Sequence, residues 1–187
     1  YTYARLASES SRFANALRAL QIGTGDVVAT VLGRCPELYV TALGTLKNRS
    51  VYCPLFSAFG PEPIRDRLRL GNARAVVTSE ALHRKKIAPI AGELPSLRHV
   101  LHTGDEFQAL LARASETFAI PSTDPEDPAL LHFTSGTTGR PKGALHVQGG
   151  FLLSIIRETA YQADLRPADR VLFATDMGWI MGPWTVV

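Results

Sequence analysis

Ala129-Leu130-Leu131-His132-Phe133 runs without a break into Thr134-Ser135-Gly136-Thr137-Thr138-Gly139-Arg140-Pro141-Lys142-Gly143, and Ala144-Leu145-His146-Val147 follows. The outer pieces are short, apolar and free of turn residues, so each predicts a strand, over 129–133 and 143–147. The ten residues from Thr134 to Gly143 contain four hydroxyls, three glycines and two cations. Glycine reaches positive φ without a steric penalty, which lets successive amides turn inward around an anion. Hydroxyls add donors, and a lysine adds a full charge suited to phosphate oxygens. Pro141 biases Arg140 toward an extended conformation. A loop of this kind at the end of a strand stands where α/β proteins bind ligands. It is not a Walker A loop, because Gly136 is followed by Gly139 and then Pro141-Lys142-Gly143 rather than by Gly-Lys-Ser/Thr at the required spacing.

Outward from this loop the chain alternates helix and strand. Leu6, Phe13, Leu17 and Leu20 recur at helical spacing and predict an amphipathic helix over 4–20, interrupted at Ser10 and ended by Gly23 and Gly25. Tyr1-Thr2-Tyr3 reads as a strand. Val27 to Leu32 is a continuous apolar run, as in a buried parallel strand. Pro36 opens a helix reaching Lys47. Strands over 51–55, 75–78 and 98–102 and a helix over 63–70 follow. Ser122 to Pro128 is acidic and proline-rich and breaks both periodicities, so it reads as a linker. Beyond the loop, a helix over 150–163 and a strand over 170–175 complete the pattern. The fold class is α/β, mostly parallel sheets flanked by helices. Residues 1–121 form a first α/β part, 122–128 a linker that could separate two sheets, and 129–187 the loop and the start of a second part.

Composition narrows the function classes. Hydrophobic residues make up 45% and charged residues 20% of 187, as in a globular domain with a sizeable core. A net charge of +3 without a basic stripe argues against nucleic acid. No apolar run reaches the ~18 residues of a membrane span, and no signal peptide is visible. Cys35 and Cys53 fit neither a metal knuckle nor a redox pair and read as buried, reduced thiols, as in a cytoplasmic protein. The chain begins at Tyr1 and stops at Val187 inside an apolar run, so it reads as an excerpt.

The eleven residues Phe133 to Gly143 resemble the signature of the acyl-adenylate-forming superfamily. Pro36-Glu37-Leu38-Tyr39, Pro54 to Phe59, Gly60-Pro61-Glu62, Leu145-His146, Gly149-Gly150-Phe151 and Asp176-Met177-Gly178-Trp179 are similar, in order, to its acetyl-CoA synthetase-like, short-chain acyl-CoA synthetase subgroup. The resemblance implies an incomplete N-terminal domain of an adenylate-forming enzyme. It also implies ATP, Mg2+ and CoA, with a small-molecule carboxylate activated to acyl-AMP and passed to a thiol. Thr134, Ser135, Gly136, Thr137, Thr138, Gly139 and Lys142 would bind the ATP phosphates, with Lys142 the charged, catalytic contact. No protein-held metal site is implied within the chain.

Trp179, Ile180 and Met181 would line the acyl pocket, although tryptophan also serves as plain core. The subgroup usually carries valine and threonine where Ile180 and Met181 stand, which bears on acetate as the substrate. Arg84, in the cationic stretch His83-Arg84-Lys85-Lys86, would meet CoA phosphates; a solvated turn is the other reading. His146 reads as structural. Lys47-Asn48-Arg49-Ser50 departs from the family's glycine at this turn, so Asn48 or another turn must end the helix. The family's adenine-binding segments and mobile C-terminal domain lie downstream of the matched region, so the fragment alone is expected not to complete the reaction. An enzyme loading a carrier-protein thiol, or a non-catalytic binding module, are the competing readings.

Overall fold

The computed structural model describes residues 1–134 and 139–187. Six strands form one sheet in the order β4-β3-β1-β2-β5-β6. They are β1 (Val27–Leu32), β2 (Val51–Phe56), β3 (Ala75–Thr78), β4 (His99–His102), β5 (Pro128–Thr134) and β6 (Lys142–Val147). The first five run parallel, and β6 turns back antiparallel to β5. Helices α1 (Tyr3–Ala19), α2 (Pro36–Lys47) and α5 (Asp105–Ala112) lie on one face. Helix α3 (Pro61–Leu70) and the turns that carry Ile87 and Ile90 lie on the other. The short α4 (Glu80–Leu82) leads into those turns, a π-helical His83–Ile87 and a 3-10 Ala88–Glu93.

The central strands β1, β2 and β3 are buried on both faces because they are apolar at nearly every position, not at alternate ones. Along β1, Val28 and Leu32 join Phe13, Leu17 and Phe107 on one side. Val27, Ala29 and Val31 join Ile64 and Leu68 on the other. Thr30, in the middle of this strand, satisfies its hydroxyl with Tyr52 Oη at 2.9 Å.

Local departures from the expected elements have physical causes. Tyr1 to Tyr3 is not a strand: Thr2 caps α1 by accepting the Arg5 amide, and the helix starts at Tyr3. Ser10 interrupts the apolar stripe because α2 presses close there. Its hydroxyl donates to the Leu6 carbonyl at 2.6 Å, and a Cβ on Gly44 would lie 2.7 Å from its backbone oxygen. The helix ends at Leu20, and the left-handed residue is Gln21 rather than a glycine. After α2, Asn48 is the cap, its side chain donating to the Ile22 carbonyl and to Ser50 Oγ. Arg49 takes φ +59° in place of a glycine, and its guanidinium reaches Asp127 at 2.7 Å.

The acidic stretch does not divide two sheets. Tyr52 pairs with Leu130, and Arg49–Asp127 fastens the stretch beside that seam. The helix after the loop is α6 (Gln148–Arg157), which continues as a π-helical turn over Glu158–Gln162. Residues 170–175 form no strand among the described residues. Among the described residues no strand pairs with them to supply the ladder bonds that such a segment needs. Cys53 is buried, but Cys35 is only half-buried at the start of α2, and both are free thiols. Burial pushes their pKa values up, to about 12 and about 11.

Candidate active site

Among the described residues, Thr134, Gly139 and Lys142 lie at the carboxyl rim of the parallel strands, where β5 turns back into β6. β5 delivers Thr134 to this rim, and β6 leaves from it with Lys142 directly opposite in the register. Both side chains are exposed. Gly139 has φ +79°, the left-handed backbone that the inward-facing amides of an anion cradle call for. Ser135, Gly136, Thr137 and Thr138 lie outside the described residues.

Trp179, Ile180 and Met181 lie on a turn and the first residue of α7 (Met181–Trp184). The turn is braced from within: Asp176 Oδ1 accepts the Gly178 amide at 2.8 Å, and the Asp176 carbonyl accepts the Trp179 amide at 3.0 Å. Trp179 is 62% exposed and packs edge-on against Phe56, with ring centroids 5.1 Å apart. Ile180 and Met181 are half-buried, and Ile180 packs on the core. This turn is joined to the loop-bearing strand. His132 on β5, buried, donates from Nε2 to the Gly178 carbonyl at 2.7 Å. Burial first, and then the nearby His146, hold the His132 pKa below its ordinary 6.5; the Gly178 carbonyl opposes them. Burial likewise lowers His146, whose ring lies 5.6 Å from that of Phe151.

Arg84 stands apart from this pair, beyond the end of β3. It lies in an open cleft with Glu80, His83, His102 and Glu106, and its guanidinium is 3.9 Å from the Glu80 carboxylate. His102 bridges Glu106 (Nδ1, 2.8 Å) and His83 (Nε2 to Nδ1, 2.9 Å). The cationic stretch is not uniformly solvated. Lys86 is buried, and its ammonium donates to the carbonyls of Ser57 and of Phe59, the latter at 2.7 Å. Burial, and secondarily Lys85, lowers its pKa. It holds the turn that presents Phe56 and Phe59, whose rings meet edge-on at 5.1 Å.

Sequence reasoning missed His132, Lys86 and the His83–His102–Glu106 chain. The one available signal for His132 was a single histidine inside an otherwise apolar strand.

Rim, glycine-rich hairpin and aromatic turn define an α/β domain with a candidate anion site, and comparison with known proteins makes the class specific. The model of the AMP-binding enzyme family matches residues 1–187. The chain belongs to that family. It is 34% identical to the acetyl-coenzyme A synthetase of Bacillus subtilis and 33% identical to that of Syntrophus aciditrophicus, in each case over 97% of its own length. It covers only 33% and 31% of those two proteins, about a third of each. Among solved structures, a Brucella canis acyl-CoA synthetase superposes with a TM-score of 0.84 at 32% identity, over 96% of this chain and 33% of that one. The acetoacetyl-CoA synthetase of Streptomyces lividans gives 0.90 at 28% identity, over 99% and 31%.

Proposed function

We propose that the full-length protein is an AMP-forming acyl-CoA synthetase for a short- or medium-chain carboxylate. In the first step a carboxylate oxygen attacks the α-phosphorus of ATP, giving acyl-AMP and releasing pyrophosphate. In the second, the thiol of CoA attacks the acyl carbon, giving the thioester and AMP. The carrying observation is the hairpin that sets Lys142 opposite Thr134 at the carboxyl rim, with Gly139 at positive φ.

There Lys142 offers a solvent-facing ammonium to the departing pyrophosphate. Thr134 and the intervening Ser135, Gly136, Thr137 and Thr138 would contribute hydroxyls and amides. Such a cradle aims its donors where negative charge accumulates as the bond breaks. The relatives named for acyl-CoA synthesis support this reading, as does a structural neighbour solved with ATP, MatB of Rhodopseudomonas palustris, with a TM-score of 0.87 at 28% identity.

Magnesium is expected with the nucleotide. Among the described residues no three His, Cys, Asp or Glu side chains converge as ligands. The ion would therefore ride on phosphate oxygens, as magnesium commonly does in nucleotide sites. Trp179, Ile180 and Met181 would wall the acyl pocket, and their bulk beside Phe56 sets acyl length. Arg84, exposed in its cleft, would meet CoA phosphates, which favours CoA over a carrier-protein thiol as acceptor. A cytoplasmic location belongs to the same reading. Among the described residues no helix is long and apolar enough to cross a membrane.

The test is carboxylate-dependent exchange of pyrophosphate into ATP by the full-length protein, across straight-chain acids of two to eight carbons. Exchange with at least one acid, followed by AMP release on adding CoA, is the expected result. A flat response across the panel removes the assignment.

A further inference from the structure

The hairpin and the Trp179 turn are separate in sequence, yet one buried hydrogen bond joins them. His132 is 6% exposed and lies two residues before Thr134. Its Nε2 is 2.7 Å from the carbonyl oxygen of Gly178, which can only accept, so Nε2 carries the proton. Gly178 is seated tightly: a Cβ there would stand 2.6 Å from the Phe56 ring. The turn thus has a floor in Phe56, an internal brace in Asp176 and a tether in His132. Upstream, Arg34 donates to the Thr175 carbonyl at 3.1 Å, but residues 165–176 have no helix or strand to hold them.

We propose that His132 is a positioning residue that fixes the Trp179 wall to the strand carrying the phosphate loop, and thereby sets acyl-length selectivity. This rests on the proposed reading of Trp179 as part of the acyl pocket. The physical reason is that, among the described residues, the Gly178 carbonyl has His132 Nε2 as its hydrogen-bond partner and no second one. With an apolar side chain at 132 the Gly178 carbonyl is left buried and unpaired, and a buried polar group in that state moves toward water if it can. The turn then lifts from Phe56 and takes Trp179 with it, and the pocket changes length relative to the phosphates.

The experiment compares wild type, His132→Leu and His132→Gln in the full-length protein. It measures kcat/KM for exchange with acids of two to eight carbons, and KM for ATP. Leucine matches the apolar strand but has no donor; glutamine keeps an N–H of similar reach. The expected result is that His132→Leu changes the preference between the best acid and its homologue two carbons longer by about tenfold. KM for ATP should move little by comparison, and His132→Gln should restore the wild-type preference. Because it is a ratio between acids, the readout is unaffected by the fraction of enzyme that folds.

An active wild type with the same acid ratios in His132→Leu overturns the role of His132 alone. A wild type inactive with every acid removes the acyl-pocket reading beneath it. If the leucine variant does not fold, the same question is put to wild type carrying 15N-histidine. The His132 Nε2–H resonance should then shift progressively with the length of the bound acid. No dependence on length overturns the proposal.

Discussion

The two ends of the sheet are built differently. Around β1 and β3 every strand position is buried, and two apolar layers close over it. Around β6, α6 and the segment after it, large apolar side chains face outward: Leu153 is 68% and Leu172 94% exposed. The well-covered end supplies a rigid platform, and the less-covered end carries the glycine-rich hairpin and the Trp179 turn. Chemistry on a rigid frame with mobile or later-covered neighbours is the usual division of labour in α/β proteins.

This contrast can be broken by measurement. The largest effect should come from the covered end. Phe13 is fully buried and stacks on Phe107 at a ring separation of 5.4 Å. Phe13→Ala should therefore cost about 3–5 kcal/mol in urea unfolding of the 187-residue chain. Next is the hairpin. Lys142→Ala in the full-length protein should lower pyrophosphate exchange by about 10²–10³-fold, on the scale of losing one oriented donor to a developing anion. Its melting temperature should stay put, because the side chain is exposed.

A smaller effect is expected at the seam between the two ends. The Asp127 carboxyl is held below its ordinary 3.8, first by the Asp124 amide and then by Arg49, with burial opposing. A depressed carboxylate pKa stabilises the fold above 3.8, and that contribution is lost as pH falls through the lower folded value. Asp127→Asn should accordingly lower the urea midpoint at about pH 6 and match wild type by about pH 2. The smallest effect belongs to the open end. Leu153→Ser in the isolated chain should stay within about 0.5 kcal/mol of wild type. A loss there as large as that of Phe13→Ala would mean that the two ends are equally packed.

Much of the covered end was legible in the sequence. Val27–Leu32, Val51–Phe56 and Ala75–Thr78 are uninterrupted apolar runs, and proline opens both α2 and α3. Local patterns of that kind decide local structure. The open end was less legible because its structure depends on partners far along the chain. Val171-Leu172-Phe173 has the composition of a strand but, among the described residues, no strand pairs with it. The acidic stretch looked like a boundary, yet Arg49 and Tyr52 carry the sheet across it.

At the candidate site, the loop residues could be singled out because the chemistry proposed for them is contained in ten consecutive positions. The tether from His132 spans 46 residues, and no local pattern reports such a contact. Lys86 was missed for the same reason: its carbonyl partners, at Ser57 and Phe59, come from another turn.

The pairing of Tyr52 with Leu130 also has a kinetic meaning. Everything between them, including β3 and β4, must be gathered before that contact closes, and the entropy of a long closure is lost before any bond forms. The nascent protein should therefore assemble its first four strands from shorter-range contacts and add the hairpin last, so the glycine-rich hairpin is completed only by chains whose platform is already in place.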